Sequence, residues 1–193
     1  MSHVNLIKQR IATSIEVKSQ LMADADLIGR IGEMAQSMTA VFQQKGKVLF
    51  CGNGGSAADA QHIAAELSGR FYKNRPPLYA EALHVNSSFI TAVANDYGYD
   101  EVYARMVEAA GVPGDMLVAI STSGHSPNII KAIEKAKQCG MTVVGMTGTT
   151  GGAMADLCDL LINIPSTDTP RIQESHILVG HIVCELVEML LFP

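Results

Sequence analysis

The sequence predicts an α/β fold: a five-stranded parallel sheet between two layers of helices, an αβα sandwich, with extra N-terminal helices. Three observations predict it. Five short, almost wholly apolar runs alternate with helical patterns along the 193-residue chain. Two of these runs end in turns rich in glycine or serine. Two longer helical patterns precede the first run.

The two N-terminal helices are predicted over residues 4–24 and 27–44, where apolar residues recur at the spacing of one helix face. Gly46 marks the end of the second helix. These helices and the C-terminal one are apolar over a wide arc. Part of that surface has to be buried beyond a five-stranded core, so we expect self-association, with helices 4–44 packing in the oligomer.

The strands are predicted from the apolar runs, and a helical stretch is expected after each of them. The runs cover residues 47–51, 79–85, 116–120, 142–147 and 160–164, and the last helix extends from about 169 to 191. Nearly continuous apolar strands are typical of parallel sheets covered on both faces, joined by right-handed crossovers. No linker, low-complexity tract or charge run interrupts the chain, so we expect one domain over residues 1–193.

Composition excludes several classes of partner. The net charge is −5 and no Lys/Arg block occurs, which argues against nucleic acid or an anionic membrane surface. The longest apolar runs are far shorter than the roughly 20 residues of a membrane span. The N-terminus lacks a signal-peptide pattern and the four cysteines form no C-x-x-C pair, so we expect reduced cysteines and a cytoplasmic protein.

The first glycine-rich turn, Gly52–Ser56, follows an apolar run and opens a helix. Free N–H groups and the helix dipole make such a turn a natural place for an anionic or polyhydroxylated ligand. His62 and Glu66 follow on this helix, four residues apart and therefore on one face. The pattern predicts a small-molecule site with acid–base or metal-binding capability.

The second turn, residues 121–127, places four hydroxyl side chains and a glycine between a strand end and a helix start, with Pro127 suited to the first helical turn. Backbone N–H groups, hydroxyls and the dipole can hold a phosphate there without a lysine. Ser126 alone is also explained as an N-cap. Because ligands of open α/β sheets bind outside the carboxyl ends of the strands, we expect both turns to serve one sugar phosphate.

Two further polar segments support a site. Asp96, beside Asn95, either binds a ligand hydroxyl or belongs to a helix C-cap and turn. The last helix carries Gln173, Glu174, His176 and His181. On an ideal helix Glu174 and His181 lie within about 20° of each other and Gln173 about 80° away, and periodicity alone does not choose among them.

With these motifs in view, the chain resembles the sugar isomerase (SIS) domain family, and within it the sedoheptulose 7-phosphate isomerases (phosphoheptose isomerases). The resemblance covers essentially the whole chain. It is carried by CGNGGSAADAQH at 51–62 with Glu66, GRF-x-x-x-RP at 69–76, NDYGY at 95–99, ISTSG-x-S at 120–126, and TPRIQE-x-H-x-x-x-x-H at 169–181.

The resemblance implies a flavodoxin-like SIS fold, a homotetramer with sites at subunit interfaces, and conversion of sedoheptulose 7-phosphate to a manno-heptose 7-phosphate, the first step toward the ADP-heptose of lipopolysaccharide cores. It implies Glu66 and His181 as the acid–base pair. It implies one Zn²⁺ per subunit, held by His62, Glu66, Gln173 and His181. The substrate contacts that it implies are Asn53, Gly54, Gly55, Ser56, Glu66, Arg70, Asn95, Asp96, Ser121, Thr122, Ser123, Ser126 and Gln173.

The chain departs from the family pattern at two positions. His125 stands in the phosphate loop where relatives often have Asn or Lys, and its ring is expected to face solvent. Relatives usually carry an aspartate near Asn86, and this chain lacks an acidic group there.

Other functions compete with the isomerase. Gly52-x-Gly54-x-x-Ala57 matches a relaxed dinucleotide fingerprint, but the acidic residue expected at the end of the second strand is missing. SIS proteins also include sugar-phosphate-sensing modules and tetrameric adaptors that bind the replication initiator protein. The adaptors tend to lose the acid–base residues, and this chain has both Glu66 and His181.

Overall fold

The computed structural model describes residues 2–193. The helices are α1 (His3–Ala23), α2 (Ala25–Gln43), α3 (Gly55–Ser68), α4 (Ser87–Tyr97), α5 (Val102–Ala110), α6 (Pro127–Gln138) and α7 (Thr169–Leu191). The strands are β1 (Val48–Gly52), β2 (Ala80–Ala82), β3 (Met116–Ile120), β4 (Thr142–Thr147) and β5 (Leu160–Asn163). Short 3₁₀ helices cover Tyr99–Glu101 and Gly152–Met154.

The sheet is parallel throughout, with the strand order β2-β1-β3-β4-β5. This is the order of flavodoxin-like doubly wound folds, and the predicted fold class is confirmed. The chain leaves β1 toward one edge and continues from β3 toward the other. β1 and β3 are therefore the switch point, where two neighbouring strands open a crevice outside their carboxyl ends. Their last residues, Gly52 and Ile120, are register partners.

Each face of the sheet has its own apolar core, because successive strand residues point to opposite faces. Val48 and Phe50 pack with buried residues of α1, α2, α3 and α7. Leu49 and Cys51 pack on the other face with α4, α5 and α6. The layer containing α3 and α7 carries most of the polar residues singled out above.

Two predicted elements differ from the structure. β2 is three residues long rather than seven, because only Ala80–Ala82 pair with β1. No α-helix forms between β4 and β5 within the described residues; the 3₁₀ helix Gly152–Met154 stands there instead. Gly151 and Gly152 have φ of 72° and 56°, a left-handed backbone that an α-helix does not accommodate.

The structure also gives the state of the cysteines and the character of the longest helices. Cys51 and Cys184 are buried, Cys139 and Cys158 are half-buried, and all four are free thiols. Across residues 2–193 we find no helix both long enough and apolar enough to cross a membrane.

Candidate active site

The β1–α3 turn lies at the switch point, and a hydrogen bond from the buried core holds its first residue. Gly54, at the N-cap of α3, has φ of 56°, which glycine adopts without strain. The buried Tyr103 hydroxyl donates to the Gly52 carbonyl at 2.5 Å. Ser56 is buried in the first turn of α3, whereas Gly54 and Gly55 are exposed. The turn therefore presents glycine backbone to the crevice.

A pair of side-chain amides joins this turn to the second one. Asn53 and Asn128 each donate to the other's carbonyl oxygen at 2.9 Å. Asn128 is buried in the first turn of α6, and Asn53 also accepts the Tyr99 hydroxyl at 3.3 Å. The two turns are thereby fixed side by side at the ends of β1 and β3.

The β3–α6 loop keeps its hydroxyls close together. Ser121 Oγ and Ser126 Oγ are 3.1 Å apart, and Ser123 Oγ accepts the backbone N–H of His125 at 3.2 Å. Ser126 is the N-cap residue of α6, but its hydroxyl makes no capping hydrogen bond to the helix. N-capping therefore does not explain this hydroxyl. His125 is exposed, as expected.

Helices α3 and α7 run parallel and in close contact beside the crevice. The Gln173 side-chain amide lies against Gly55, so closely that a Cβ on Gly55 would overlap it. Further along, a Cβ on Gly180 would meet the Ile63 side chain at 2.5 Å. Both contacts join residues about 118 positions apart, which means that the two helices keep one register over two turns.

That register brings His62 of α3 against His181 of α7. Their Nε2 atoms are 2.9 Å apart, and His62 Nε2 is 3.3 Å from the Glu66 carboxylate. Two facing imidazole nitrogens need one proton or one cation between them, because their lone pairs repel. The cluster begins about 10 Å along α3 from Gly55, at 1.5 Å per residue.

The three side chains form an arrangement that can hold a metal ion. One ligand atom from each of His62, Glu66 and His181 lies within 4.8 Å of the others. Two ligands about 2.1 Å from a tetrahedral ion are about 3.4 Å apart, which is close to the 2.9 and 3.3 Å separations here. The donor set, two imidazoles and a carboxylate, therefore fits a divalent cation such as zinc.

The four polar residues singled out on α7 point in three different directions. Glu174 faces α1, where it accepts the Ser14 hydroxyl at 2.7 Å and pairs with Arg171. His176 is buried and contacts the Thr147 carbonyl. Gln173 faces the glycine turn and His181 faces His62, so these two point toward α3.

The remaining predicted site residues make no hydrogen bond to His62, Glu66 or His181. Asn95 and Asp96 are exposed in the last turn of α4, where Asn95 donates to Asp96 at 2.8 Å. The C-cap is Gly98 rather than Asp96. Arg70 is exposed just beyond α3, and Thr122 is half-buried in the serine loop. Asn86 is the N-cap of α4, and its side-chain oxygen accepts the Phe89 N–H at 3.0 Å.

Three residues near the centre were missed by sequence reasoning. Asn128 tethers Asn53, and Phe71 stacks on the His181 ring with 5.6 Å between centroids and 20° between planes. Asp59 lies one turn before His62; burial raises the pKa of its carboxyl to about 6, against the lowering effect of His62. Phe71 stood within a recognised motif, but no local pattern distinguished Asn128 or Asp59.

Comparison with known proteins agrees with this geometry. The chain matches the SIS domain family over residues 11–148. Fold and family match together define a SIS-domain protein, and the two predicted ligand turns, residues 52–56 and 121–127, lie at its β1/β3 switch point.

Curated relatives narrow the class. Phosphoheptose isomerases from Aneurinibacillus thermoaerophilus and Rhodospirillum rubrum are each 53% identical to the chain, over 96% and 90% of it and over 94% and 96% of their own lengths. A phosphoheptose isomerase structure from Neisseria gonorrhoeae has a TM-score of 0.92 at 40% identity, over 97% of this chain and 100% of that one. The chain belongs to the phosphoheptose isomerases of the SIS domain family. It is an isomerase, and none of these relatives is named as an adaptor.

Proposed function

We propose that the protein interconverts sedoheptulose 7-phosphate and D-glycero-D-manno-heptose 7-phosphate. The observation that carries this proposal is the meeting of Glu66 and His181 in one cluster beside two ligand turns. A ketose–aldose interconversion needs a base for a carbon-bound proton and a second group for the oxygen-bound protons. The names of the relatives supply the substrate class, a phosphorylated heptose.

The phosphate is assigned to the serine loop and the sugar hydroxyls to the other turns. Ser121, Thr122, Ser123 and Ser126 offer hydroxyls at the N-terminus of α6, whose dipole favours negative charge. The hydroxyls of the sugar are assigned to the turn that opens α3, at Asn53, Gly54, Gly55 and Ser56. The remaining proposed substrate contacts are Arg70, Asn95, Asp96 and Gln173.

Glu66 transfers the carbon proton. Its carboxylate takes the proton from the carbon beside the carbonyl and returns it to the neighbouring carbon, so that no net proton is gained or lost. His181 moves protons at the two substrate oxygens, a role that suits an imidazole near neutral pH. Phe71 covers one face of that imidazole.

The metal that fits is zinc, one per subunit, held by His62, Glu66, His181 and the amide oxygen of Gln173. Gln173 also faces α3, but its amide lies against Gly55, about 10 Å along α3 from His62, so its side chain has to move toward the cluster to become the fourth ligand. When bound, zinc polarises substrate oxygens as a Lewis acid.

The cellular setting follows from the same resemblance. We place the reaction at the first step toward ADP-heptose for lipopolysaccharide cores, in the cytoplasm. We also propose a single SIS domain over residues 1–193 and a homotetramer in which helices 4–44 pack between subunits, with sites at the interfaces. The apolar face of α1 supports this assembly.

Glu66→Gln tests the assignment of the base. The amide keeps the size of the side chain but cannot accept the carbon proton, so we expect turnover of sedoheptulose 7-phosphate to fall at least about a thousandfold with the fold intact. Product is followed by NMR, with and without a chelator, and folding by circular dichroism.

Glu108→Gln is the matched control, since Glu108 is an exposed glutamate on α5 paired with Lys135. It should retain full activity. Substantial isomerase activity in Glu66→Gln would remove Glu66 from the mechanism, and an inactive wild-type protein, with or without added zinc, would refute the proposed reaction.

A further inference from the structure

A buried carboxylate on α7 has no role in the mechanism above. Glu188 lies seven residues beyond His181, on the same side of the helix, and is 1% exposed. Its two oxygens accept the backbone N–H groups of Phe71, Tyr72 and Lys73 at 2.8–2.9 Å and the Arg75 guanidinium at 2.9 Å. Four donors thus converge on a single side chain, and they all come from the segment that follows α3.

Arg75 carries the network to the end of α3. Its guanidinium, also 1% exposed, donates to the carbonyls of Leu67 at 2.7 Å and Glu66 at 2.9 Å. These are last-turn carbonyls that have no partner within the helix. One ion pair therefore fixes the turn that carries Glu66 and the backbone of residues 71–73 to the same point of α7.

The two ends of this network touch the acid–base residues. Phe71, whose N–H binds Glu188, stacks its ring on His181. Glu66 is held through its own carbonyl. An imidazole on a helix surface otherwise turns about χ1 and χ2, and a ring packed against its face restricts that rotation.

The charge on Glu188 persists at working pH. Burial by itself raises the pKa of the Glu188 carboxyl, but the three backbone N–H groups and the Arg75 guanidinium outweigh it and hold the pKa below its usual value. A buried ion pair gives little net stability compared with apolar packing. We therefore interpret the Glu188–Arg75 pair by the geometry that it fixes rather than by the stability that it adds.

We propose that Glu188 and Arg75 are positioning residues of the isomerase site, which set the His181 ring through Phe71 and the Glu66 turn through its carbonyl. This inference rests on the proposed roles of Glu66 and His181. Glu188 touches no reacting atom in this scheme; it acts through the residues that it holds.

Two variants test the positioning pair. Phe71→Leu removes the stacked ring and keeps an apolar side chain; Glu188→Gln removes the charge that holds the segment. Misplacement of a catalytic group, or loss of the partner that orients it, costs about tenfold to a hundredfold. We expect kcat for sedoheptulose 7-phosphate to fall by that factor in both variants while KM stays within about twofold, because the phosphate loop is untouched.

Histidine side-chain NMR at one fixed pH supplies a readout that does not depend on the reaction. The His181 ring resonances should shift in both variants, while those of His176, buried on the same helix, should not. Phe71→Tyr keeps a ring and should restore both kcat and the His181 resonances.

Asp115→Asn is the control for loss of a buried carboxylate. Asp115 accepts the Lys47 ammonium and the backbone N–H groups of Lys47 and Val112 at the opposite end of the sheet. It should lower the melting temperature and leave kcat and the His181 resonances unchanged.

The outcomes separate the two proposals. An active wild-type protein whose Phe71→Leu and Glu188→Gln variants match Asp115→Asn in kcat and in His181 resonances would overturn the positioning pair. An inactive wild-type protein would refute the proposed reaction, while shifted His181 resonances in the variants would still support the pair. If Glu188→Gln does not fold, Arg75→Lys replaces it, because lysine keeps the positive charge opposite Glu188 but loses the forked contacts to the carbonyls of Leu67 and Glu66. An Arg75→Lys protein that matches Asp115→Asn in kcat and in His181 resonances would then overturn the proposal.

Discussion

His176 and His181 are five residues apart on α7, and their surroundings are opposite. His181 is half-buried and faces another imidazole and a phenyl ring. His176 is fully buried, with one ring nitrogen 3.2 Å from the Thr147 carbonyl and the other, Nδ1, without a partner. The same side chain serves as a site group in one place and as a neutral core residue in the other.

His176 predicts a loss of stability in acid. Burial lowers its pKa to about 4, more than the Thr147 hydrogen bond raises it, whereas the unfolded chain has a histidine pKa of about 6.5. Between these values the unfolded state binds more protons, so the free energy of unfolding falls as pH falls. The full effect is about 3 kcal/mol by pH 4.

Urea unfolding at pH 4.5, 5.5 and 7.0 measures this effect. His176→Gln should lose stability between pH 6.5 and 4 less steeply than the wild type, and His3→Gln, an exposed control, should not differ from it. Equal slopes for His176→Gln and the wild type would show that another group is responsible.

At the scale of elements, the two predicted ligand turns differ in how they are built. The β1–α3 turn offers glycine backbone, whereas the β3–α6 loop offers hydroxyls spaced at hydrogen-bond distance. The Asn53–Asn128 amide pair locks one to the other. A ligand that spans both turns meets a crevice whose width is already set.

The serine loop predicts a selective effect on substrate binding. Ser123→Ala and Ser126→Ala each remove a proposed donor to the phosphate, and a hydrogen bond to a charged group is worth about 1.5–3 kcal/mol. We therefore expect KM for sedoheptulose 7-phosphate to rise about tenfold or more, with a smaller change in kcat. Ser88→Ala, at an exposed serine of α4, is the control. An unchanged KM in both loop variants would mean that the phosphate binds elsewhere.

At the scale of the whole molecule, α1 is the least covered element. Val4, Ile7, Ile11 and Ile15 are 57–60% exposed and recur at three- and four-residue spacing, which places them on one stripe. Such a continuous apolar stripe is costly to expose to water and is typical of a surface that packs against another copy.

Ile11→Glu tests the role of this stripe in assembly. A charge at its centre should shift the proposed homotetramer to smaller species, measured by light scattering after size-exclusion chromatography. Gln9→Glu adds the same charge beside the stripe and should leave the assembly intact. A tetrameric Ile11→Glu protein would show that α1 does not form the subunit contact.

Sequence predictions succeeded where the determining interactions are local. β3 and β4 begin and end where their apolar runs do, and α7 has its predicted bounds of 169–191. The i, i+4 spacing of His62 and Glu66 already implied one face of a helix. β2 was overextended, because strand pairing, a contact between distant segments, decided how much of residues 79–85 joins the sheet.

By itself, the sequence determined the doubly wound fold, the positions of the glycine-rich and serine-rich turns and the pairing of His62 with Glu66, since each follows from neighbours along the chain. Only the tertiary structure decided which residues of α7 enter the site. Helical periodicity sets the angles between Gln173, Glu174, His176 and His181, but the face that meets α3 depends on close packing at Gly55 and Gly180. The tether through Asn128 and the hold of Glu188 on residues 71–73 also depend on contacts between segments more than 70 positions apart, which no local pattern encodes.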